Sequence, residues 1–156
     1  MASPYSDAAH VLDLHTLDRP YQLIARALAT MHALSESYAT MEYQDAFNWH
    51  EVVEQLKALA DAEGYLFPET SFFVIVFRSR VPSTSDGTLL GELDAEAHRE
   101  AVRSGGLLKY WFGTPDAQGR NLATCLWRDR GDASLGGAGK VGIISHSMDM
   151  AVASSC

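Results

Sequence analysis

The sequence is poor in cysteine and in long apolar runs. Its 156 residues include two cysteines, Cys125 within an apolar segment and Cys156 at the end. Two cysteines placed so far apart predict neither a disulfide framework nor a zinc site, and a reducing, cytoplasmic location is the expectation. No apolar run approaches the roughly 18 residues that a membrane-spanning helix needs, so we expect no insertion into a membrane.

Positive charge is also scarce. The chain has 12 Lys and Arg residues against 20 Asp and Glu residues, and its formal net charge is −8 at pH 7. Nucleic acids and anionic membranes both attract concentrated positive charge. The charge balance therefore argues against both as partners. The opening residues, MASPYSDAAH, lack the basic and apolar regions of a signal peptide.

The most informative stretch of the chain is Gly105–Asp129, which predicts an antiparallel hairpin. Two short apolar segments, Leu107–Gly113 and Leu122–Arg128, flank the turn-forming residues TPDAQGRN. Alternation predicts one face made of Leu108, Tyr110 and Phe112 and another made of Leu107, Lys109 and Trp111. Both faces are largely apolar, so we expect helices to cover one and something else, such as a second copy of the chain, to cover the other.

Helices and a further strand flank this hairpin. Asn48–Gly64 predicts an amphipathic helix, with Asn48 as its cap and Glu51 bonding back to the cap. Thr88–Ser104 predicts a second helix, and Ser71–Arg80 (SFFVIVFRSR) predicts a central strand because it is rich in β-branched and aromatic residues. Tyr21–Leu34 fits either a helix or a buried strand.

This order predicts an α+β fold, a ferredoxin-like antiparallel sheet with helices on one face. We expect residues 1–17 to form a loose lead-in, residues 18–140 one domain, and residues 141–156 an atypical tail. The last strand of such a sheet is not visible in the sequence. Val141–Ile144 is short and Met148–Val152 is weakly apolar, so the sheet is expected to lack that strand or to form it poorly.

Four segments resemble those of an uncharacterised family of small proteins from filamentous fungi: SFFVIVFRSR, LLGELDAEAHREAVRSGGLLKYWFG, GRNLATCLWR and YATMEYQDAFNWHEV. The resemblance runs from about residue 20 to Lys140. It implies a dimeric α/β-barrel fold of the kind seen in antibiotic-biosynthesis monooxygenases, and hence a homodimer. It also implies that Tyr21–Met31 is a strand. The family brings no established activity and no catalytic residues.

The end of the chain departs from this resemblance from about residue 141. Family members continue with a basic helix and a final strand, whereas this chain reads KVGIISHSMDMAVASSC. We hypothesise that residues 141–156 derive from a retained intron or a misplaced exon end. Sequencing the transcript across the Lys140 codon tests this, because a spliced message with Val141 in frame would contradict it.

Two motif-like segments fail their patterns. Gly136–Lys140 (GGAGK) suggests a phosphate loop, but Ser134 stands where the first glycine belongs and Val141 replaces the Ser or Thr. His50 and Glu51 begin a zincin-like helix motif in which the second histidine is replaced by Glu54. We therefore predict no metal and no cofactor.

Six residues remain as candidates for chemistry or ligand contact. His98, on the helix before the hairpin, and Tyr110, on the hairpin, are the candidate catalytic pair, since a histidine beside aromatic side chains is suited to proton transfer. The candidate pocket residues are Trp111, Trp127, Arg78 and Arg128. Packing in the core and on the surface is the alternative interpretation for all six.

These candidates support three hypotheses about function. The first is a cofactor-free enzyme of fungal secondary metabolism that acts on a small hydrophobic metabolite. The second is a non-catalytic protein that binds such a metabolite in the same pocket. The third is a truncated, inactive family member. Fold-level analogy is a weak basis for choosing the first, and exchanging His98 or Tyr110 separates it from the second.

Overall fold

Helices form the first part of the chain and a sheet with two further helices forms the second. The computed structural model describes residues 10–81, 87–136 and 144–150, with the backbone alone for residues 87–94 and 144–150. The helices are α1 (Arg19–Ala27), α2 (Tyr43–Ala46), α3 (Trp49–Ala62), α4 (Gly87–Ser104) and α5 (Arg130–Leu135). The strands are β1 (Thr70–Arg80), β2 (Leu107–Phe112), β3 (Arg120–Trp127) and β4 (Ile144–Met150).

Several sequence predictions lie outside these described residues. They are the start of the lead-in at residues 1–9, most of the GGAGK segment with the start of the tail at residues 137–143, and the end of the tail at residues 151–156 with Cys156. Residues 82–86, between the predicted strand and the second predicted helix, also lie outside. The proposed division of the chain at residues 17 and 140 stays a prediction. Among the helices that the structure describes, none has the length and apolar character needed to cross a membrane.

The strands form one antiparallel sheet in the order β2-β3-β1-β4. Along the chain the elements run β1, α4, β2, β3, α5, β4. This combination is consistent with a ferredoxin-like β-α-β-β-α-β unit. In it, α4 connects β1 to β2 with β3 lying between them, and α5 lies in the connection from β3 to β4 with β1 lying between them. The predicted α+β class is confirmed.

A fourth strand is present where the sequence analysis finds no clear one. Ile144–Met150 pairs with β1 from Val76, opposite Ile144, to Thr70, opposite Met150. Its sequence, ISHSMDM, alternates Ser or Asp with larger residues, a pattern typical of a strand. A search for a continuous apolar run misses this signal, because only the central strands of a sheet need such a run.

The strand that the resemblance implies at Tyr21–Met31 is wrong. The segment is α1, with Pro20 in its first turn, followed by a 3-10 turn at Leu28–Thr30. Proline suits a helix start because its nitrogen needs no hydrogen-bond acceptor there. Burial follows helical rather than two-residue spacing, as the buried positions show: Leu23, Ile24, Ala27, Leu28 and Met31.

Helices lie against both faces of the sheet, so the prediction of helices on one face alone is wrong. On one side, which we call the α1/α3 face, side chains of α1 and α3 share a buried cluster with Phe72, Val74 and Leu126. On the other, the α4/α5 face, residues of α4 and α5 share a cluster with Ile75 and Trp127. The cover expected from a second copy of the chain is supplied by the chain's own N-terminal helices.

A β-bulge alters the predicted alternation of β2. The pairing register between β2 and β3 shifts between Leu107 and Lys109. As a result Leu108 packs in the α1/α3 cluster, while Leu107 joins Tyr110 in the α4/α5 cluster. The prediction that Leu108 shares a face with Tyr110 is therefore wrong, because one extra residue in a strand reverses the alternation that follows it.

Candidate functional site

His98 and Tyr110 lie together on the α4/α5 face. His98 projects from α4 and Tyr110 from β2, and their ring centroids are 5.0 Å apart at an interplanar angle of 53°. Both are buried, with exposed fractions of 3% for His98 and 8% for Tyr110. The structure thus brings together, from two separate elements, the two residues that the sequence singles out as the candidate catalytic pair.

A second imidazole extends this pair. The ring centroid of His10 lies 5.0 Å from that of His98, and its Nε2 is 3.1 Å from the carbonyl oxygen of Ala95. Cys125, which is also buried, is directly opposite Tyr110 in the β2–β3 pairing. We call the group His10, His98, Tyr110 and Cys125 the histidine–tyrosine cluster. Each of its members carries a group that can exchange a proton.

His10 and the contribution of Cys125 are not evident from the sequence. His10 lies in the polar lead-in, far along the chain from α4, and no local pattern connects the two. Cys125 is assigned to a strand from sequence, but which residue faces it depends on the register with β2. That register includes the bulge at Leu107–Lys109, which no simple alternation predicts.

Trp111 lies on the opposite face from Tyr110. Its ring makes perpendicular contacts with Phe47, at 4.8 Å between centroids, and with Tyr38, at 5.1 Å. It borders an open cavity of about 570 Å³, which we call the aromatic cleft. The residues that line the cleft are Glu36, Tyr38, Trp111, Phe112, Gly113, Thr114, Pro115, Asp116 and Ala117.

Trp127 and Arg128 do not line this cleft. Trp127 is buried in the α4/α5 cluster beside Ala133, and its indole N–H has no acceptor among the described residues. The Arg128 guanidinium donates through Nε to Asp132, at 2.8 Å, and through Nη2 to the other carboxylate oxygen, at 3.1 Å. This hydrogen bonding raises the pKa of Arg128 and fixes the start of α5 against the end of β3.

Arg78 is likewise engaged in holding the backbone. It donates to the carbonyl oxygens of Ala39 and Met41, at 2.5 Å each. A guanidinium can bridge two carbonyls in this way because its N–H groups form a rigid, planar fork. Arg78 thereby ties the segment that carries Tyr38 to the end of β1, and supports the aromatic cleft without lining it.

Two polar groups, buried Lys109 and partly buried Tyr43, are not evident from the sequence. Lys109 is 5% exposed, and burial lowers the pKa of its ammonium group. Burial also raises the pKa of the Tyr43 phenol, whose hydroxyl donates to Thr124 Oγ1 at 2.8 Å while Thr124 donates to the Ile75 carbonyl. The partial burial of Tyr43 could not be predicted from sequence because it depends on the packing of α2 against the buried cluster.

The arrangement separates two kinds of chemistry. The histidine–tyrosine cluster can hold and move protons in a place from which water is largely excluded, whereas the aromatic cleft is open and offers flat apolar surfaces. Among the side chains that the structure describes, in residues 10–81 and 95–136, no three from His, Cys, Asp or Glu converge in a way that could hold a metal ion.

Comparison with known proteins places the chain in a family. The family model described as PB2B2.08-like matches residues 1–155, a range that includes the tail set apart in the sequence analysis. Over 147 residues the chain is 39% identical to "UPF0643 protein PB2B2.08" of Schizosaccharomyces pombe (strain 972 / ATCC 24843), covering 90% of this chain and 67% of that protein. That relative comes from fission yeast, not from a filamentous fungus. No solved structure matches the chain. On the breadth of the family match and this identity, the chain belongs to the PB2B2.08-like family of uncharacterised proteins.

Proposed function

We propose that this chain is a small-molecule enzyme that works without a cofactor and uses His98 and Tyr110 to move a proton. The observation that carries the proposal is the contact between these two rings, 5.0 Å between centroids, at a buried position. An imidazole titrates near neutral pH and a phenol supplies a donor or acceptor, so the pair can serve as base and acid.

The substrate that suits this position is hydrophobic. The residues packed around the histidine–tyrosine cluster are mainly apolar, among them Phe73, Phe77 and Val102. Such walls bind by excluding water and leave orientation to a few polar groups, which here are the imidazoles and the phenol. Since the 39% identical relative is a fission yeast protein, we propose a metabolite that fungi share.

The test is conversion of metabolites from a fission yeast extract, followed by mass spectrometry. The wild-type chain is compared with Tyr110→Phe, which keeps the ring and removes its hydroxyl, and with His50→Gln, a matched control on the exposed side of α3. We expect a substrate–product pair with the wild type and with the control. Tyr110→Phe should slow conversion by about 100-fold, the usual scale of general acid–base catalysis.

The outcomes separate the hypotheses. Conversion by the wild type that is unchanged in Tyr110→Phe contradicts the assigned pair. Saturable binding of a metabolite with no conversion contradicts the enzyme and supports the non-catalytic binding protein. Absence of both contradicts the proposal and supports an inactive chain. Near-ultraviolet circular dichroism of every variant confirms that folding is retained.

The fold proposed from the resemblance needs one change. A dimeric α/β barrel joins two copies through an open face of each sheet, and α1 and α3 cover the α1/α3 face here. We therefore propose that any homodimer uses another surface, and that each protomer carries its own histidine–tyrosine cluster.

A further inference from the structure

The aromatic cleft has walls set at right angles. The rings of Tyr38 and Trp111 are inclined at 89° with centroids 5.1 Å apart, and Phe47 supports the Trp111 ring from within the core. Phe112, which is 40% exposed, also borders the cleft, and its ring lies beside that of Tyr110 at 6.0 Å between centroids. Two perpendicular rings form a corner. A group that lies in this corner can contact the electronegative π face of each ring.

The position of Tyr38 is fixed before any ligand arrives. Its hydroxyl donates to the Thr114 carbonyl at 2.6 Å. Its ring lies so close over the end of β2 that a Cβ on Gly113 would be 2.2 Å from the phenolic oxygen. Arg78 holds the carbonyls of Ala39 and Met41 on the same segment. A cleft whose walls are fixed in this way loses little conformational entropy when a ligand binds.

The charge of the lining has one sign. Of its residues, Glu36 and Asp116 are acidic and none is Lys, Arg or His. Asp116 is engaged with Arg120, at 2.7 Å from Nε, and with the backbone N–H of Gln118. Glu36 is exposed at the rim. Because the whole chain also carries a net charge of −8, its field favours the approach of cations over anions.

We propose that the aromatic cleft binds a methylated ammonium group, such as that of a choline-like metabolite. Aromatic faces attract organic cations through the ring quadrupole, and methyl groups on nitrogen give the cation an apolar surface that packs against them. Glu36 supplies a counter-charge at the rim. The volume of about 570 Å³ is ample for such a group. Trp111 and Tyr38 lie across β2 from the histidine–tyrosine cluster, whereas Phe112 lies on the same face as Tyr110, with ring centroids 6.0 Å apart. The proposed binding does not depend on the activity proposed for the cluster.

The test titrates the full-length chain with choline chloride and, separately, with 3,3-dimethylbutan-1-ol, which has the same shape without the charge. The indole N–H signals of the tryptophans are followed by ¹H–¹⁵N NMR, and Trp111→Phe identifies the Trp111 signal. Sodium chloride at matched concentrations corrects for ionic strength. We expect a saturable shift of the Trp111 signal with choline, and binding of the neutral alcohol that is at least about fivefold weaker.

Two further variants sharpen the result. Glu36→Gln should weaken choline binding by a factor of about 2 to 5, whereas Glu42→Gln, an exposed acid outside the cleft, should leave it unchanged. Gly113→Ala should weaken binding by displacing the Tyr38 ring. Equal binding of choline and the neutral alcohol would show an apolar cleft and overturn the proposal. No shift of the Trp111 signal in 100 mM choline, about the limit for weak cation–π binding, would overturn it as well.

Discussion

Neighbouring residues of one strand lie in the two candidate sites. Tyr110 and Trp111 point to opposite faces of β2, so the first meets His98 and the second meets Tyr38. The sequence predicts this separation because successive side chains of a strand alternate. It also places His98 near the hairpin, since α4 leads directly into β2. It cannot place His10, whose contact with His98 joins residues 88 positions apart.

At the residue scale, we predict that Glu63 makes stability depend on acid pH. Its carboxylate accepts a hydrogen bond from Arg26, at 2.6 Å, and is paired with Arg19. The hydrogen bond from Arg26 is the largest influence that lowers the pKa of Glu63 from 4.5. A lowered folded-state pKa means that the stabilisation is present above the unfolded-state pKa and is lost as pH falls through the folded-state value.

The measurement for Glu63 is the urea midpoint of unfolding at pH 7 and at pH 3. Glu63→Gln should unfold at lower urea than the wild type at pH 7, and the difference should shrink towards pH 3. Glu69→Gln, at an exposed acid that forms no ion pair among the described residues, is the control and should follow the wild type. A difference between Glu63→Gln and the wild type that is as large at pH 3 as at pH 7 would contradict the prediction.

Elements with strong local signals were predictable, and those fixed by distant contacts were not. The predicted helix Asn48–Gly64 corresponds to α3 at Trp49–Ala62, and the predicted strand Ser71–Arg80 to β1 at Thr70–Arg80. Asn48 is the N-cap residue of α3, as predicted, but the capping hydrogen bond expected of its side chain is absent. Its side chain instead accepts from the His32 N–H and donates to Glu51. A buried amide follows its tertiary partners over its local preference.

At the element scale, we predict that two adjacent glycines before β2 differ in their tolerance of alanine. Gly105 and Gly106 both have positive φ, at 83° and 75°. A Cβ on Gly105 would meet nothing within 4 Å, whereas one on Gly106 would lie 2.1 Å from the Asp132 carboxylate. Gly105→Ala should therefore cost only the backbone strain, about 1 kcal/mol. Gly106→Ala should cost more, because it also disturbs the pairing of Asp132 with Arg128.

Urea unfolding of the two glycine variants decides the point, with each serving as the control for the other. The expected excess for Gly106→Ala is about 1–3 kcal/mol, the scale on which the loss of a charged hydrogen bond is felt. Equal destabilisation of the two variants would show that Asp132 is not held against the turn.

At the scale of the whole molecule, the covering of the sheet is the feature that sequence alone does not settle. Apolar residues on both faces of the hairpin predict that both faces are buried, but the same pattern results whether helices of the same chain or a second copy cover them. The decisive residues are those of α1. They fit a helix or a strand equally well from sequence, and the resemblance favours the strand. The structure makes them a helix that packs on β2.

We predict that Leu56 is essential to this covering in each protomer. Its side chain is fully buried between α3 and the α1/α3 face. Leu56→Ala should lower the free energy of unfolding by about 2–5 kcal/mol, because it leaves a cavity in a packed core. The loss should not depend on protein concentration. Leu66→Ala, at a leucine that is 85% exposed, is the control and should have little effect. A small or concentration-dependent loss for Leu56→Ala would indicate that a second copy replaces α3.

The central claim is that β2 separates two candidate sites, with the histidine–tyrosine cluster on one face and the Trp111–Tyr38 wall of the aromatic cleft on the other. The most direct measurement is a proton NOE experiment on the aromatic rings of the full-length chain. The account predicts cross-peaks between His98 and Tyr110, between His98 and His10, and between Trp111 and Tyr38, since these ring centroids are 5.0 to 5.1 Å apart. Cross-peaks from His98 to Trp111, or none from His98 to Tyr110, would contradict it.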